Sequence, residues 1–529
     1  MSAGLGTVPA AQTYLDVGQG NRVFDSLYDM PLPGFEGDRR RRRREVVERA
    51  ESAPAEIVPG LLAKTLAQAG ASAELEVRAT TLDRLPPPGS YGLLIAIARP
   101  TGRSDQPLPI GIGGPGFHGN LTSASTRTGG YVLSTDVAPT ILRHLRIPVP
   151  SQMSGQAIRA EGAVDVAAIE SLVARMDVIS ARRGPVIGLN ILVWLAAMAL
   201  IALLTRGRWA RPAVRVAGLA ILYLPLVLLL GAALEPGATA ERLLVLLLCP
   251  LLAALTLLLL RGYRAPAVAS GLTVLAYALD AVAGSPLTSL SLLGPNPGLG
   301  VRFYGIGNEL EALLAVLVVA GTGAALAGFL PRATDRARAA GFLLVGLLAA
   351  FVFAAGRFGA DVGAAIVFPV GAVVAAVVVA GRGRRVGLAA VVAVPVAALA
   401  LLALIDLASG ANAHLTRSVL DAGGLGSLGD VAQRRLQLSA HSFGRPVLLA
   451  LLPLVVGAAA LAYFRRGRLR GWLDGVPAMR AGLIGALAAT LIGTLANDSG
   501  ALLLEIGTAY LLVFVCFAWT ESPGGRSGR

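Results

Sequence analysis

From residue 185 onward the sequence is a succession of apolar runs of roughly 18 to 23 residues, parted by short charged loops. A run of that length crosses the hydrocarbon core of a bilayer as a helix, because about 20 residues at 1.5 Å rise span about 30 Å. Runs can be placed at 185–204, 213–233, 242–260, 265–283, 309–330, 339–356, 363–380, 386–408, 446–464, 480–496 and 500–520. The 529-residue chain is 55% hydrophobic with a mean hydropathy of +0.67, too apolar for a soluble protein of this size. Residues 1–183 are mixed and polar. The expected organisation is an α/β domain over 1–183, then an all-α polytopic membrane domain of about 11 transmembrane helices over 184–529. The longest later excursion from the membrane is the loop at 409–445.

The net charge is +14, and Lys64 is the sole lysine, so the positive charge is arginine. Much of it sits between spans: Arg206, Arg208 and Arg211 after the first; Arg261 and Arg264 after the third; Arg332, Arg336 and Arg338 after the fifth. Arg382, Arg384 and Arg385 follow the seventh, and Arg465, Arg466, Arg468 and Arg470 the ninth. All of these loops fall on one side, which the positive-inside rule makes cytoplasmic. The 1–183 domain is then extracytoplasmic, the C-terminus is cytoplasmic, and the protein is multi-pass in a cytoplasmic (inner) membrane. Export of such a domain needs a leading apolar segment, and MSAGLGTVPAAQTYLDVGQG contains none. The expectation is that a signal or first helix precedes this start.

Arg39–Arg44 form the one long basic run. Asp38, Glu45 and Glu48 flank it, which favours a solvated helix face over a nucleic-acid patch. Cys249 and Cys516 each lie inside an apolar run, with no spacing for a disulfide or a metal. The four histidines are scattered, so no metal-ligand set is assigned.

In the polar domain, YGLLIAIA (91–98) and LPIGIG (108–113) read as strands beside helical stretches such as EVVERAESAPAEIVPGLLAKTLAQAG. The segment LTSASTRTGGYVLSTDVAPTILRHLRIPVPSQMSGQAIR (121–159) resembles the closing part of the alkaline phosphatase and sulfatase superfamily. The resemblance is carried by Asp136 to Leu142, Ile147 to Pro150 and Met153 to Gly155. It covers roughly residues 88 to 159 and implies an incomplete alkaline-phosphatase-like fold. The family's Asp-His metal ligands after a core strand are missing, since YGLLIAIA runs into Arg99-Pro100-Thr101. A two-zinc site cannot be built from what remains, so the domain is expected to be a pseudoenzyme. His118 reads as structural.

Ionisable groups inside or beside membrane spans are costly unless paired or hydrated, and mark functional sites. Under the arginine topology they gather on the outer side: Arg302, Tyr304, Asn308, Glu309 and Glu311 in VRFYGIGNELE, Arg357 and Asp361 in GRFGADVG, Asn497 and Asp498 in LANDSG, and Glu505 in the last span. Asp280 and Asp406 close spans on the same side. Asp498 and Glu505 are seven residues apart, two helical turns, which puts them on one helix face. Asn308 and Glu311, three apart, also share a face. The loop at 409–445 adds His414, Arg417, Arg434, Arg435 and His441, in two short amphipathic stretches suited to phosphate or pyrophosphate.

A many-spanning chain with a late outer loop carrying arginine and histidine is similar, in topology alone, to O-antigen ligase and polymerase glycosyltransferases. The GNE, GRFGAD and NDSG boxes resemble a class of bacterial membrane proteins that join a phosphatase-like outer domain to about a dozen spans. Three functions follow as expectations. The first is an extracytoplasmic transferase or hydrolase of the cell envelope, acting on a polyprenyl- or lipid-linked phosphate or glycan precursor. In it Glu309, Asp361 or Asp498 acts as general base, or holds a divalent cation with Asn308 and Asn497, and the arginines hold phosphate. The second is a proton- or cation-coupled transporter or flippase using Asp280, Glu311, Asp406 and Glu505. The third is a scaffold for other envelope-synthesis proteins. The expected partners are the lipid bilayer and an anionic or lipid-linked precursor, not nucleic acid.

Overall fold

The computed structural model describes residues 1–34, 38–53, 55–87, 90–295, 297–381, 384–408, 436–437, 439–440, 442–444 and 446–522. The chain divides into two compact units, Met1–Ser180 with Asn296–Phe303, and Ala181–Pro295 with Tyr304–Arg529.

The first unit carries helices α1 (Ala10–Gln19), α2 (Arg39–Glu51), α3 (Leu61–Gln68), α4 (Val137–His144) and most of α5 (Val166–Arg183). Its strands are β1 (Val8–Pro9), β2 (Leu94–Ile97), β3 (Arg103–Ser104), β4 (Ile110–Gly113), β5 (Asn120–Thr122) and β6 (Arg159–Glu161). They pair antiparallel as β1–β3, β2–β4 and β5–β6. The two strands expected at 91–98 and 108–113 thus pair with each other, Leu94 opposite Gly113 and Ile97 opposite Ile110. Among the described residues no sheet exceeds two strands. The helical stretch expected over 45–70 divides between the end of α2 and α3. In α2 the arginine run is capped by Asp38, which accepts from the Arg40 amide at 3.1 Å. Arg41 pairs with Glu45 one turn on at 2.8 Å, both exposed.

α4 buries Val137, Ala138, Thr140 and Leu142. Leu142 and Ala138 join Leu61, Leu62, Leu66 and Met153 in one core cluster. Asp136, fully buried ahead of this helix, gathers four donors: Ser123 Oγ and Ser125 Oγ at 2.6 Å, the Gln156 amide at 2.8 Å and the Leu133 amide at 3.0 Å. Burial pushes its pKa up, and the four hydrogen bonds oppose that rise. The DVAPT stretch therefore ties β5, α4 and the segment after Met153 together.

The second unit is helical: α6 (Leu189–Leu204), α7 (Ala210–Leu234), α8 (Ala238–Leu259), α9 (Arg264–Val282), the short α10 (Pro286–Leu290), α11 (Asn308–Phe329), α12 (Asp335–Ala354), α13 (Ala364–Val379), α14 (Arg384–Ala408), α15 (Pro446–Phe464), α16 (Arg466–Leu473), α17 (Pro477–Ala496) and α18 (Gly500–Glu521). Among the described residues eight helices are long and apolar enough to cross a membrane. They are Val166–Leu204, α7, α8, α9, α11, α12, α17 and α18. Shorter apolar helices occupy Ala364–Val379, Ala389–Leu401 and Leu451–Phe464. The protein is therefore a membrane-embedded, multi-pass, mostly helical chain.

Inside such a bundle every backbone carbonyl needs an internal donor. Pro225 has no N–H, so it leaves the Ile221 carbonyl of α7 without its helical partner. Tyr510 Oη donates to that carbonyl at 3.3 Å, while Thr273 Oγ1 and Tyr277 Oη donate to the neighbouring carbonyls of Leu222 and Pro225 at 3.1 and 3.0 Å. Three helices thereby lock together around one proline. α11 is buried along most of its length and packs against α9, α12, α13, α17 and α18.

Candidate functional site

The two ends of the helical unit differ. At one end lie the starts of α7, α9 and α12 and the end of α18, with Arg215 paired to Glu521 and Arg338 to Asp335 at 2.9 Å. At the other end lie the starts of α8, α11, α13 and α18 and the ends of α7, α9, α12 and α17, and here the carboxylates collect.

The opening turn of α11 organises this end. Gly307 precedes the helix, and Glu309 and Glu311 sit in its first turn, where the helix dipole favours negative charge. Glu311 has no exposed surface. Asn497, which ends α17 in extended geometry, donates its amide to Glu311 Oε2 at 2.7 Å. Next to it Asn308 Nδ2 donates to Asp498 Oδ1 at 3.0 Å, and Ser499 Oγ donates to the same oxygen at 3.3 Å. Asn308, Glu311, Asn497 and Asp498 thus form two parallel carboxylate–amide pairs that join α11 to the turn between α17 and α18.

The loop 355–363 completes the wall. Asp361, 5% exposed, accepts the Gly363 amide on Oδ1 at 3.1 Å. A Cβ at Gly363 would stand 2.6 and 2.7 Å from the two Glu311 oxygens, so that residue must be glycine for the carboxylate to lie there. The same loop holds 304–307: the Ile306 amide donates to the Gly359 carbonyl at 3.0 Å, and Gly305, at φ +77°, lies against that carbonyl where no side chain fits. α13 is 16 residues long, about 24 Å, shorter than the roughly 30 Å of a bilayer core. Much of loop 355–363 is buried, as irregular backbone at membrane depth must be.

Glu309 faces Arg183, whose Nη1 stands 3.4 Å from Glu309 Oε1 while Nη2 donates to the Gly294 carbonyl. Its neighbour Arg182 binds the buried Glu241 at 2.9 Å and the Pro236 carbonyl at 2.8 Å. Sequence reading missed Arg182, Arg183 and Glu241. The signal was their position, since paired arginines at the mouth of the first span and a lone acid in the first turn of the third are both costly there.

The other expected site residues are placed as follows. Arg357 is exposed on loop 355–363, its guanidinium 5.7 Å from the Phe358 ring. Tyr304 is half-buried at the start of 304–307. Arg302 falls in the segment Asn296–Phe303, which groups with the first unit rather than with these residues. Glu505 is buried in the second turn of α18. Its expected helical alignment with Asp498 does not hold, because α18 starts at Gly500 and Asp498 lies in the preceding turn. Asp280 accepts the Leu287 and Thr288 amides at 3.0 and 2.7 Å and so caps α10. Asp406 lies near the end of α14. His414, Arg417, Arg434, Arg435 and His441 lie outside the described residues. The described part of that loop reaches the same end: Ser439 Oγ donates to the Thr494 carbonyl at 2.6 Å, and Ser442 Oγ accepts the Ala501 amide at 3.0 Å. In the first unit, His118 is exposed.

Among the described residues no three histidine, cysteine or acidic side chains converge on one point as a metal site. The arrangement instead offers half-exposed Glu309 and exposed Asp498 at a mouth, backed by buried Glu311 and Asp361, with Arg183 close by. Such a set can move a proton at the mouth while the buried pair fixes the loops. Comparison of the chain with protein-family models, with curated proteins and with solved structures found no match in any of the three.

Proposed function

We propose that the protein is a bacterial cell-envelope enzyme, a transferase or hydrolase working at the outer face of the cytoplasmic membrane on a lipid-linked phosphate or glycan. The observation that carries this reading is the convergence of Asn308, Glu309, Glu311, Asp361, Asn497 and Asp498 at the end of the bundle remote from the arginine loops. The arginine bias makes that end extracytoplasmic. Glu309 or Asp498 acts as general base on an acceptor hydroxyl, a role that needs an accessible carboxylate. Asn308 holds Asp498 and Arg183 faces Glu309, which orients both bases, while Asn497 holds the buried Glu311 behind them. Arg183 and Arg357 supply the positive charge that a phosphate needs beside carboxylates, and Arg417, Arg434 and Arg435 add to it from the loop. The first unit is a non-catalytic relative of the alkaline phosphatase fold that presents the acceptor. Support for this comes from the DVAPT stretch, whose aspartate is consumed by structural hydrogen bonds.

The test is the pool of lipid-linked intermediates in a deletion strain complemented with wild-type, Glu309→Gln or Asp498→Asn protein. The expected result is accumulation of one intermediate in the deletion and in both variants, on the outer leaflet. Unchanged pools in every strain refute the enzyme. Accumulation on the cytoplasmic leaflet replaces it with a flippase.

A further inference from the structure

The helical unit also contains an apolar slot of about 330 Å³ between α9, α11 and α12. Its walls run from Ala267 to Ala278 on α9, from Leu317 to Ala325 on α11 and from Val345 to Phe353 on α12. At 1.5 Å per residue the α9 wall is about 17 Å long. Ser270 and Thr322 are the polar residues of the lining, and Thr322 Oγ1 is occupied with the Val318 carbonyl at 2.6 Å. Small side chains (Gly271, Gly321, Ala349) make the recess.

The slot ends at the candidate site. On α12 its last lining residues are Val352 and Phe353, whose carbonyls accept the amides of Gly359 and Asp361 at 3.0 and 3.1 Å. On α9 it ends at Ala278, two residues before Asp280. The apolar walls therefore pass directly into the loop that carries Asp361.

Size selects the occupant. A helix is about 10–12 Å across and would need several times this volume over 17 Å. A single hydrocarbon chain, about 4–5 Å wide at carbon contact distances, fills roughly 270 Å³ over that length. We propose that the slot binds the hydrocarbon chain of a polyprenyl phosphate whose head lies at the carboxylate mouth. This rests on the function proposed above and names the site for the lipid part of that substrate. The slot orients the lipid so that its phosphate emerges beside Asp361 and Arg357.

The test is photolabelling of the full-length protein in lipid nanodiscs with a polyprenyl phosphate carrying a diazirine in mid-chain. The expected result is saturable labelling of α9 and α12, competed by unlabelled polyprenyl phosphate and not by phosphatidylglycerol. Gly271→Leu and, independently, Val345→Phe fill the slot from exposed positions and are expected to lower labelling at least tenfold, with melting temperature checked for each. Glu309→Gln is expected to label as wild type does. Equal labelling by a diazirine phosphatidylglycerol, without competition, would mean ordinary bilayer lipid in the slot and overturn the proposal. Absence of saturable labelling together with an intermediate accumulating in Glu309→Gln cells overturns the slot alone. Saturable labelling with unchanged intermediate pools overturns the enzyme and leaves the slot as a lipid site.

Discussion

Asp136 in the first unit and Asp498 in the helical unit are both aspartates at the edge of a helix, and they live in opposite circumstances. Asp136 is fully buried and receives two hydroxyls and two backbone amides. Asp498 is exposed and is held by Asn308 and Ser499 through one oxygen. A carboxylate wrapped by fixed donors is a structural tie, whereas one held by side chains at a mouth keeps an oxygen for a substrate. The same contrast separates Asp280, spent on two amides of α10, from Glu309, which faces Arg183 at 3.4 Å. Burial and donor type, rather than residue type, separate the acids of this chain that fixed donors wrap from those left accessible at a mouth.

That contrast breaks most visibly at Asp136. Asp136→Ala strands four donors in a dry interior, and should cost the first unit on the order of 3–5 kcal/mol. Limited proteolysis of the full-length protein reads it as early cutting within Met1–Ser180. Intact resistance would mean that the wrapped carboxylate is not a tie. Glu309→Gln and Asp498→Asn should show the reverse, a turnover lower by about a hundredfold or more with the melting temperature nearly unchanged. A variant that melts early while keeping turnover moves its residue to the structural class.

Gly363→Ala sharpens the boundary between the classes. The added methyl meets the Glu311 carboxylate at 2.6–2.7 Å, so the carboxylate has to leave Asn497. About 1–3 kcal/mol of stability is expected to go, by overpacking, with turnover falling alongside it. Normal values of both would show that Glu311 is not held there.

The smallest effect concerns Asp16. Burial pushes its pKa up to about 7, against the opposing hydrogen bond from Gln12 at 2.7 Å and the charges of Arg22 and Arg49. The folded form thus binds this proton more tightly than the unfolded chain, and stability falls as pH rises from about 4 to about 7. Asp16→Asn removes that dependence. Its melting temperature relative to wild type should rise between pH 6 and pH 8, by an amount equivalent to about 1–2 kcal/mol. A constant difference across that range would show that Asp16 does not titrate there.

Much of the helical unit could be read before folding. Apolar length located eight of the eleven expected spans as membrane-length helices among the described residues and the other three as shorter apolar helices, and the arginine loops and the GNE, GRFGAD and NDSG boxes marked two distinct ends. The pairing of those boxes could not be read. Asn308 meets Asp498 across 190 residues and Asn497 meets Glu311 across 186, and no periodicity encodes such partners. Arg183 escaped notice because arginine at the mouth of a span reads as an orientation signal. In the first unit the strands at 91–98 and 108–113 were legible, yet their mutual antiparallel pairing across the intervening β3 was not.

A further division was hidden altogether. Segment Asn296–Phe303, written between two membrane helices, packs with the first unit. Arg22 holds the Gly300 carbonyl at 2.6 Å, the Gly6 amide donates to the Leu299 carbonyl at 2.7 Å, and Phe303 lies on Tyr131 at 5.3 Å between ring centres. The amino-acid sequence alone determined that this chain enters a membrane many times and carries acids at span ends, because hydrophobic length and charge are local properties. Tertiary structure decided which acids became ties, which stayed at a mouth and which loop each unit captured, because burial and donor geometry exist only once distant segments meet.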